Sequence, residues 1–301
     1  MAHTGHNHGD STQINQKKLL LSIVLNLIIT LAEIIGGIIS NSLALISDAL
    51  HNFSDTLALV IAYIANRVSK RESTEMRTFG FKRIEILSAF FNSLVLIGIS
   101  LFLFLEAFER FLDPKPVNGL IMMIVAIIGL LGNLFSIILL HGDRSKNLNI
   151  KAAYLHLLGD TLSSVAVVGG GILIYFYNLH WIDPLITIII GLYIIREAWS
   201  ILIETIEILM QGTPKELSLE KLKERIVNIP DIQDIHHLHA WRLNDKNIHF
   251  ECHVDLGSDI PVSKTQKIGE EVEKILHDEF KIEHVTLQFE YHECKKEDEC
   301  F

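Results

Sequence analysis

The sequence predicts an α-helical polytopic membrane protein with six transmembrane helices, followed by a small α+β cytosolic domain. Three features predict it: six long apolar stretches, an acidic last third, and basic residues concentrated in alternate loops. The apolar content of 49% and the mean hydropathy of +0.34 are high for a soluble protein of 301 residues. The net charge of −10 argues against a nucleic-acid partner, which would need a basic face.

Each apolar stretch reaches the ~20 residues that a helix needs to cross ~30 Å of hydrocarbon. These stretches must be helical, because the backbone polar groups of an open chain find no water inside a bilayer. Short polar or proline-containing breaks separate them, such as residues 113–116. The predicted spans are residues 17–39, 43–66, 84–112, 117–141, 149–178 and 182–209.

Basic residues indicate the orientation of these spans. Six Lys or Arg lie between spans two and three. Arg144 and Lys146 lie between spans four and five, with Lys151 just inside span five, whereas the alternate loops carry almost none. The positive-inside rule therefore predicts that both termini lie in the cytosol. We divide the chain into a His-containing N-terminal tail (residues 1–16), a membrane domain (17–211) and a C-terminal domain (212–301).

The C-terminal domain reads as a small acidic α+β fold. It holds 12 Lys and Arg against 20 Asp and Glu. Two segments have helical spacing and three alternate as strands do. The predicted ferredoxin-like order αββαβ places helices at residues 217–229 and 262–280, and strands at 235–243, 248–256 and 285–291. The three cysteines of the chain form no disulfide framework, which fits a reducing compartment or a metal site.

Two pairs of ionisable residues mark a candidate metal site inside the membrane. His51 and Asp55 share one face of span two, and His156 and Asp160 repeat the same His-x-x-x-Asp spacing on span five. Each such residue costs about 2.5–3.5 kcal/mol in a membrane helix, so it persists where it serves a function. Two imidazoles and two carboxylates suit tetrahedral Zn²⁺, whereas Cu(I) prefers thiolates and Mg²⁺ prefers oxygens. Asp48, one turn before His51, either orients that imidazole or lines the access path.

Other functions lack their sequence signatures. An intramembrane metalloprotease would need the motif His-Glu-x-x-His, and neither His51 nor His156 is followed by Glu. A metal sensor without transport would explain a metal-binding tail, but not four ligands at matched spacing in two spans. An ATP-driven pump is excluded, because the chain has no Gly-x-x-x-x-Gly-Lys-Ser/Thr loop. The sequence therefore predicts a secondary transporter rather than an enzyme.

The residues around these pairs resemble the cation diffusion facilitator family. The similar stretches are residues 42–51 with Asp55, residues 154–156 with Asp160, and residues 236–241 in the tail, and the resemblance covers nearly the whole chain. It implies a homodimer in the lipid bilayer that exports Zn²⁺, sometimes Co²⁺ or Cd²⁺, in exchange for protons by alternating access. The His/Asp pair on span two is similar to that of Zn²⁺-preferring members. The short loop between spans four and five resembles bacterial members, which implies the plasma (inner) membrane.

The resemblance also implies metal sites in the tail. His236, His253, His284 and Glu290 resemble the ligands of a regulatory Zn²⁺ site at the dimer interface. The terminal cysteines resemble a pair that completes a second site in some members, although their spacing departs from Cys-x-x-Cys. That second site is expected to involve Cys294 and Cys300, with further ligands from His292 or from His3, His6 and His8. Alternatively, the three N-terminal histidines collect metal near the entrance.

Overall fold

A computed structural model describes residues 9–69, 73–141, 148–244 and 247–291. The membrane part consists of six long helices, and the tail of two helices and three strands. In chain order these are α1 (Gly9–Ser40), α2 (Leu43–Ser69), α3 (Ile84–Leu112), α4 (Gly119–His141), α5 (Leu148–Tyr177), α6 (Ile182–Leu209), α7 (Leu219–Val227), β1 (Ile232–Arg242), β2 (Ile248–Leu256), α8 (Val262–Phe280) and β3 (His284–Glu290). The predicted fold class is confirmed.

Four of the six long helices contain described stretches that are long and apolar enough to cross a membrane. These stretches are Ile84–Leu112, Gly119–Leu139, Leu157–Tyr177 and Ile182–Leu209, and Val24–Ser40 of α1 is a shorter apolar helix. Within the residues that the structure describes, α2 is less apolar because it carries Asp48, His51 and Asp55. Of the six long helices, the least apolar one is thus the helix that carries most of the candidate site.

The chain divides into two compact units. One contains Met1–Tyr63 and Phe91–Ile201, and the other contains Ile64–Phe90 and Leu202–Phe301. The second unit therefore includes the segment that connects α2 to α3 as well as the whole tail.

The start of α2 is held by a buried carboxylate from α6. Asp183 is fully buried and accepts hydrogen bonds from Ser42 Oγ (2.5 Å), the Leu43 amide (2.8 Å) and the Ala44 amide (3.2 Å). The first amides of a helix have no partner within the helix, and a negative charge there is favourable. Asp183 therefore fixes where α2 begins.

Two glycines allow α4 to approach its neighbours closely. A Cβ at Gly171 of α5 would lie 2.9 Å from the Met123 amide nitrogen of α4, and one at Gly129 of α4 would lie 2.3 Å from Glu33 Oε1 of α1. Small residues permit such close packing between membrane helices. Gly129 in particular leaves the space that the Glu33 carboxyl occupies.

The tail folds around a three-stranded sheet of order β1-β2-β3. β1 pairs with β2 in antiparallel register, and β2 pairs with β3 in parallel register through the α8 crossover. The predicted bounds of β2 and α8 agree with the structure, whereas β1 begins three residues before its predicted start. The helices cover one face of the sheet, and the shared core includes Leu222, Ile226, Phe250, Val272 and Leu276.

The first prediction concerns the cap of α2. Replacement of Asp183 with Asn should destabilise the protein by about 1–3 kcal/mol, because one amide oxygen cannot satisfy three buried donors. The measurement is the thermal unfolding midpoint of the purified chain in detergent. Asp113→Asn is the matched control, because Asp113 is exposed between α3 and α4. An equal midpoint for both variants would contradict the proposed role of the cap.

Candidate metal centres

The membrane centre places one imidazole between carboxylates from two helices. On α2, His51 Nδ1 lies 3.5 Å from Asp55 Oδ2, and on the other side His51 Nε2 lies 3.8 Å from Asp160 Oδ1 of α5. The side chains of His51 and Asp160 are buried, whereas that of Asp55 is 24% exposed. His156 lies on α5 one turn before Asp160, and its side chain is outside the described residues. The structure therefore brings together three of the four predicted ligands.

Each imidazole–carboxylate pair has nearly the spacing of two ligands on one small divalent cation. Two ligands of a tetrahedral ion at ~2.0–2.1 Å lie about 3.3 Å from each other, and the observed separations are 3.5 and 3.8 Å. Mixed nitrogen and oxygen donors suit Zn²⁺, Co²⁺ and similar ions better than Mg²⁺ or Ca²⁺. The two carboxylates face different nitrogens of the same ring, and one ion binds only one of them. A site that uses all three residues therefore requires the side chains to rearrange around one His51 nitrogen.

Asp48 connects the two ligand helices. Its buried carboxylate accepts hydrogen bonds from Ser163 Oγ (2.5 Å) and Ser164 Oγ (3.4 Å) of α5. These serines follow Asp160 by three and four residues, so they lie on the same face of α5. Neither serine was predicted as part of the site, although their spacing from Asp160 was a usable signal.

Glu33 of α1 supports the ligand helix from another side. It is fully buried, and its Oε2 accepts a hydrogen bond from Asn52 Nδ2 (3.2 Å). Asn52 directly follows His51 on α2, so this bond lies next to a ligand. The Tyr193 ring of α6 packs edge-on against His51 with centroids 6.3 Å apart. Nothing in the sequence pattern singles out Asn52 or Tyr193, because their partners come from other helices.

A second centre lies in the tail, at one end of the sheet. Glu290 Oε2 lies 3.2 Å from His236 Nε2, and Glu290 Oε1 lies 2.7 Å from His253 Nδ1. Each of the three residues offers one ligand atom, and these three atoms all lie within 4.8 Å of one another. The strand register produces this cluster, since His236 pairs with His253 and Glu290 pairs with Asp255 at the ends of β2 and β3.

His284 does not join this cluster. It is the first residue of β3, and its register partner is His249 at the start of β2. Six residues of strand separate His284 from Glu290, a distance of about 20 Å. Within one chain, the structure therefore brings together three of the four tail residues that the family resemblance implied and leaves the fourth at the other end of the sheet.

The remaining predicted tail ligands lie outside the described residues. They are His3, His6, His8, His292, Cys294 and Cys300. Cys252 is described and is buried in β2. Burial raises the pKa of its thiol to about 12. Because metals bind the thiolate form, Cys252 acts as a core residue rather than a ligand.

Comparisons with known proteins cover nearly the whole chain. Residues 19–210 match the model of the cation efflux transmembrane domain, and residues 214–292 match that of the cation efflux protein cytoplasmic domain. The chain is 40% identical to the zinc transporter ZitB of Pectobacterium atrosepticum over 98% of this chain and 91% of the relative. It is 37% identical to the metal cation efflux system protein CzcD of Cupriavidus metallidurans over 98% of this chain and 92% of the relative.

Two further similarities concern another relative and a solved domain. The chain is 38% identical to the cadmium, cobalt and zinc/H(+)-K(+) antiporter of Bacillus subtilis over 95% of this chain and 92% of the relative. The solved structure of the metal-bound C-terminal domain of the CzcD transporter is 31% identical, with coverage of 25% of this chain and 99% of that structure and a TM-score of 0.22.

The second prediction concerns the tail centre. Glu290→Gln should weaken metal binding at this centre by at least about 10-fold, because an uncharged amide replaces the carboxylate that contacts both imidazoles. Isothermal titration of the purified full chain with Zn²⁺ measures the effect. Glu251→Gln provides the control, since Glu251 is exposed on β2. Equal affinities in the two variants would argue against Glu290 as a ligand.

Proposed function

Because the chain belongs to the cation efflux, or cation diffusion facilitator, family of membrane transporters, we propose that it exports Zn²⁺ from the cytosol in exchange for protons. Co²⁺ and Cd²⁺ are further proposed cargoes, because the same donor set accepts them. The observation that carries the proposal is the buried imidazole of His51 between the carboxylates of Asp55 and Asp160. His156 is the proposed fourth ligand, supported by its position one turn before Asp160.

Charge balance supports cation transport through this site. A dication in a medium of low dielectric constant is unfavourable unless opposite charges surround it. The carboxylates of Asp55 and Asp160 supply two negative charges, which match the charge of one Zn²⁺ ion. Two protons on the same site carry the same charge as one Zn²⁺ ion. Exchange of one for the other therefore leaves the net charge in the membrane unchanged.

The ligand chemistry couples metal to protons. Imidazole binds metal when it is neutral, and a carboxylate binds metal when it is ionised, so metal binding displaces protons from these groups. Histidine and carboxylate groups together take up protons when the metal leaves. If the site opens to each side of the membrane in turn, this exclusion produces antiport. The proton gradient then supplies the energy for export.

We also propose a location and an assembly for the protein. The basic loops support cytosolic termini, and a bacterial plasma (inner) membrane is the proposed site. The match to the cytoplasmic domain model supports residues 212–301 as a dimerisation domain. In this arrangement, the His236, His253 and Glu290 cluster would bind cytosolic Zn²⁺ and regulate export according to supply.

The third prediction tests transport directly. The purified chain is placed in vesicles with an acidic lumen and a trapped zinc-sensitive dye. Wild-type protein should accumulate Zn²⁺ as protons leave, and Asp160→Asn should reduce this flux at least about 100-fold, because a ligand of the site is lost. Asp113→Asn, which changes an exposed loop residue, should retain the flux.

Two results would contradict this proposal. Wild-type flux in folded Asp160→Asn protein would show that the cation takes another path. Zn²⁺ binding without flux in any variant would instead support a metal sensor that does not transport.

A further inference from the structure

A pair of histidines lies at the end of the tail sheet opposite the Glu290 cluster. His249 and His284 begin β2 and β3 in register, and their ring centroids lie 4.7 Å apart at a tilt of 50°. Two imidazoles that share one ion at ~2.0–2.1 Å have centroids about 5 Å apart. The parallel register therefore places two imidazole rings at nearly the centroid separation that one shared metal ion requires.

His249 is buried but lacks a hydrogen bond for one ring nitrogen. His249 is only 6% exposed, and no group in the described part of the chain forms a hydrogen bond with its Nδ1 atom. Trp241 stacks on the imidazole at 5.5 Å, and Phe79 packs edge-on at 5.5 Å. Buried polar atoms without a partner are uncommon and call for an explanation. Pure aromatic packing would not require an imidazole here, since a phenyl ring would fill the same space.

The pair is accessible, and a negative charge lies near it. His284 is exposed, so solvent reaches the site from that side. Burial, followed by the nearby His284 and Lys82, lowers the pKa of His249. Glu283 lies close enough to act on His249 in the opposite sense, and its negative charge favours a bound cation.

We propose that His249 and His284 form a second divalent-cation site in the tail, for Zn²⁺ or Co²⁺, with water in the remaining coordination positions. It is separate from the His236, His253 and Glu290 cluster, because it lies at the other end of the same strands. With two protein ligands it binds more weakly than that cluster and fills at higher metal concentration. The proposal depends on the tail geometry alone and stands independently of the transport mechanism.

This site also connects metal occupancy to a neighbouring segment. Phe79 and Lys82 belong to the connection between α2 and α3, which lies in the same compact unit as the tail. Phe79 contacts the His249 ring, and the Lys82 ammonium lies near enough to act on it. A bound dication would repel Lys82. Occupancy of the site therefore changes the forces on the segment that follows the ligand helix α2.

The experiment counts the ions bound by the full-length protein. In a background with Asp160→Asn and Glu290→Gln, which disables the two centres described above, Co²⁺ binding is measured by equilibrium dialysis. His284→Ala is the main variant, because His284 is exposed and its loss leaves the core intact. His277→Ala is the control, since that histidine of α8 is 70% exposed. The proposal predicts one fewer Co²⁺ per chain for His284→Ala only. Equal stoichiometry in the two variants overturns it.

A second variant tests the site without removing a ligand. Lys82→Gln removes the opposing positive charge, so Co²⁺ should bind several-fold more tightly, and this effect should diminish at high salt. Quenching of Trp241 fluorescence reports binding, because the indole stacks on His249. Unchanged or weaker Co²⁺ affinity in folded Lys82→Gln protein would contradict the proposed position of the ion.

Discussion

The burial of an imidazole between two carboxylates within the membrane is the constraint on which the rest of the structure depends. Such groups are costly in hydrocarbon unless a cation or protons neutralise them. The ligands must therefore be held at fixed separations, although no single helix can provide all of them. His51 and Asp55 come from α2, and Asp160 comes from α5. The position of α2 relative to α5 consequently determines whether the site can hold an ion.

Polar contacts from α6, α5 and α1 help to hold α2 in that position. Asp183 of α6 fixes its first turn, the Ser163 hydroxyl of α5 bonds to Asp48, and Glu33 of α1 bonds to Asn52. In a bilayer, where apolar contacts between helices gain little over contacts with lipid, such bonds contribute to helix association. If α2 moves between two states during transport, its contact partners must either move with it or be replaced by others. Asp48 and its serine partners link the two ligand helices, so they are the contacts that a relative movement would change first.

Much of this architecture follows from local sequence patterns. Apolar length predicts the six long helices, and alternation predicts β2 at Ile248–Leu256. The i, i+4 spacing of His51 and Asp55 predicts a shared face because helical geometry alone determines it. Contacts between distant segments could not be predicted in this way. Asp183 lies 141 residues from Ser42, and no local pattern connects them.

The tail illustrates the same limit. The family resemblance groups His284 with Glu290, although the two residues are the first and last of β3. The parallel register of β2 and β3 brings Glu290 near His253 and places His284 beside His249. This register depends on the α8 crossover and on core packing, and no local spacing in the sequence connects the two strands.

The central claim is that metal and protons compete for the same atoms in the membrane. It is tested most directly by the number of protons released when Zn²⁺ binds, measured by calorimetry at about pH 6 in buffers of different ionisation enthalpy. The protein carries Glu290→Gln and His284→Ala, and the titration of the same protein with Asp160→Asn is subtracted, so that Zn²⁺ bound elsewhere, for example by the terminal cysteines and histidines, is not counted. For the Zn²⁺ binding that depends on Asp160, the account predicts at least one proton released per ion. Zn²⁺ binding that requires Asp160 but releases no proton would contradict it.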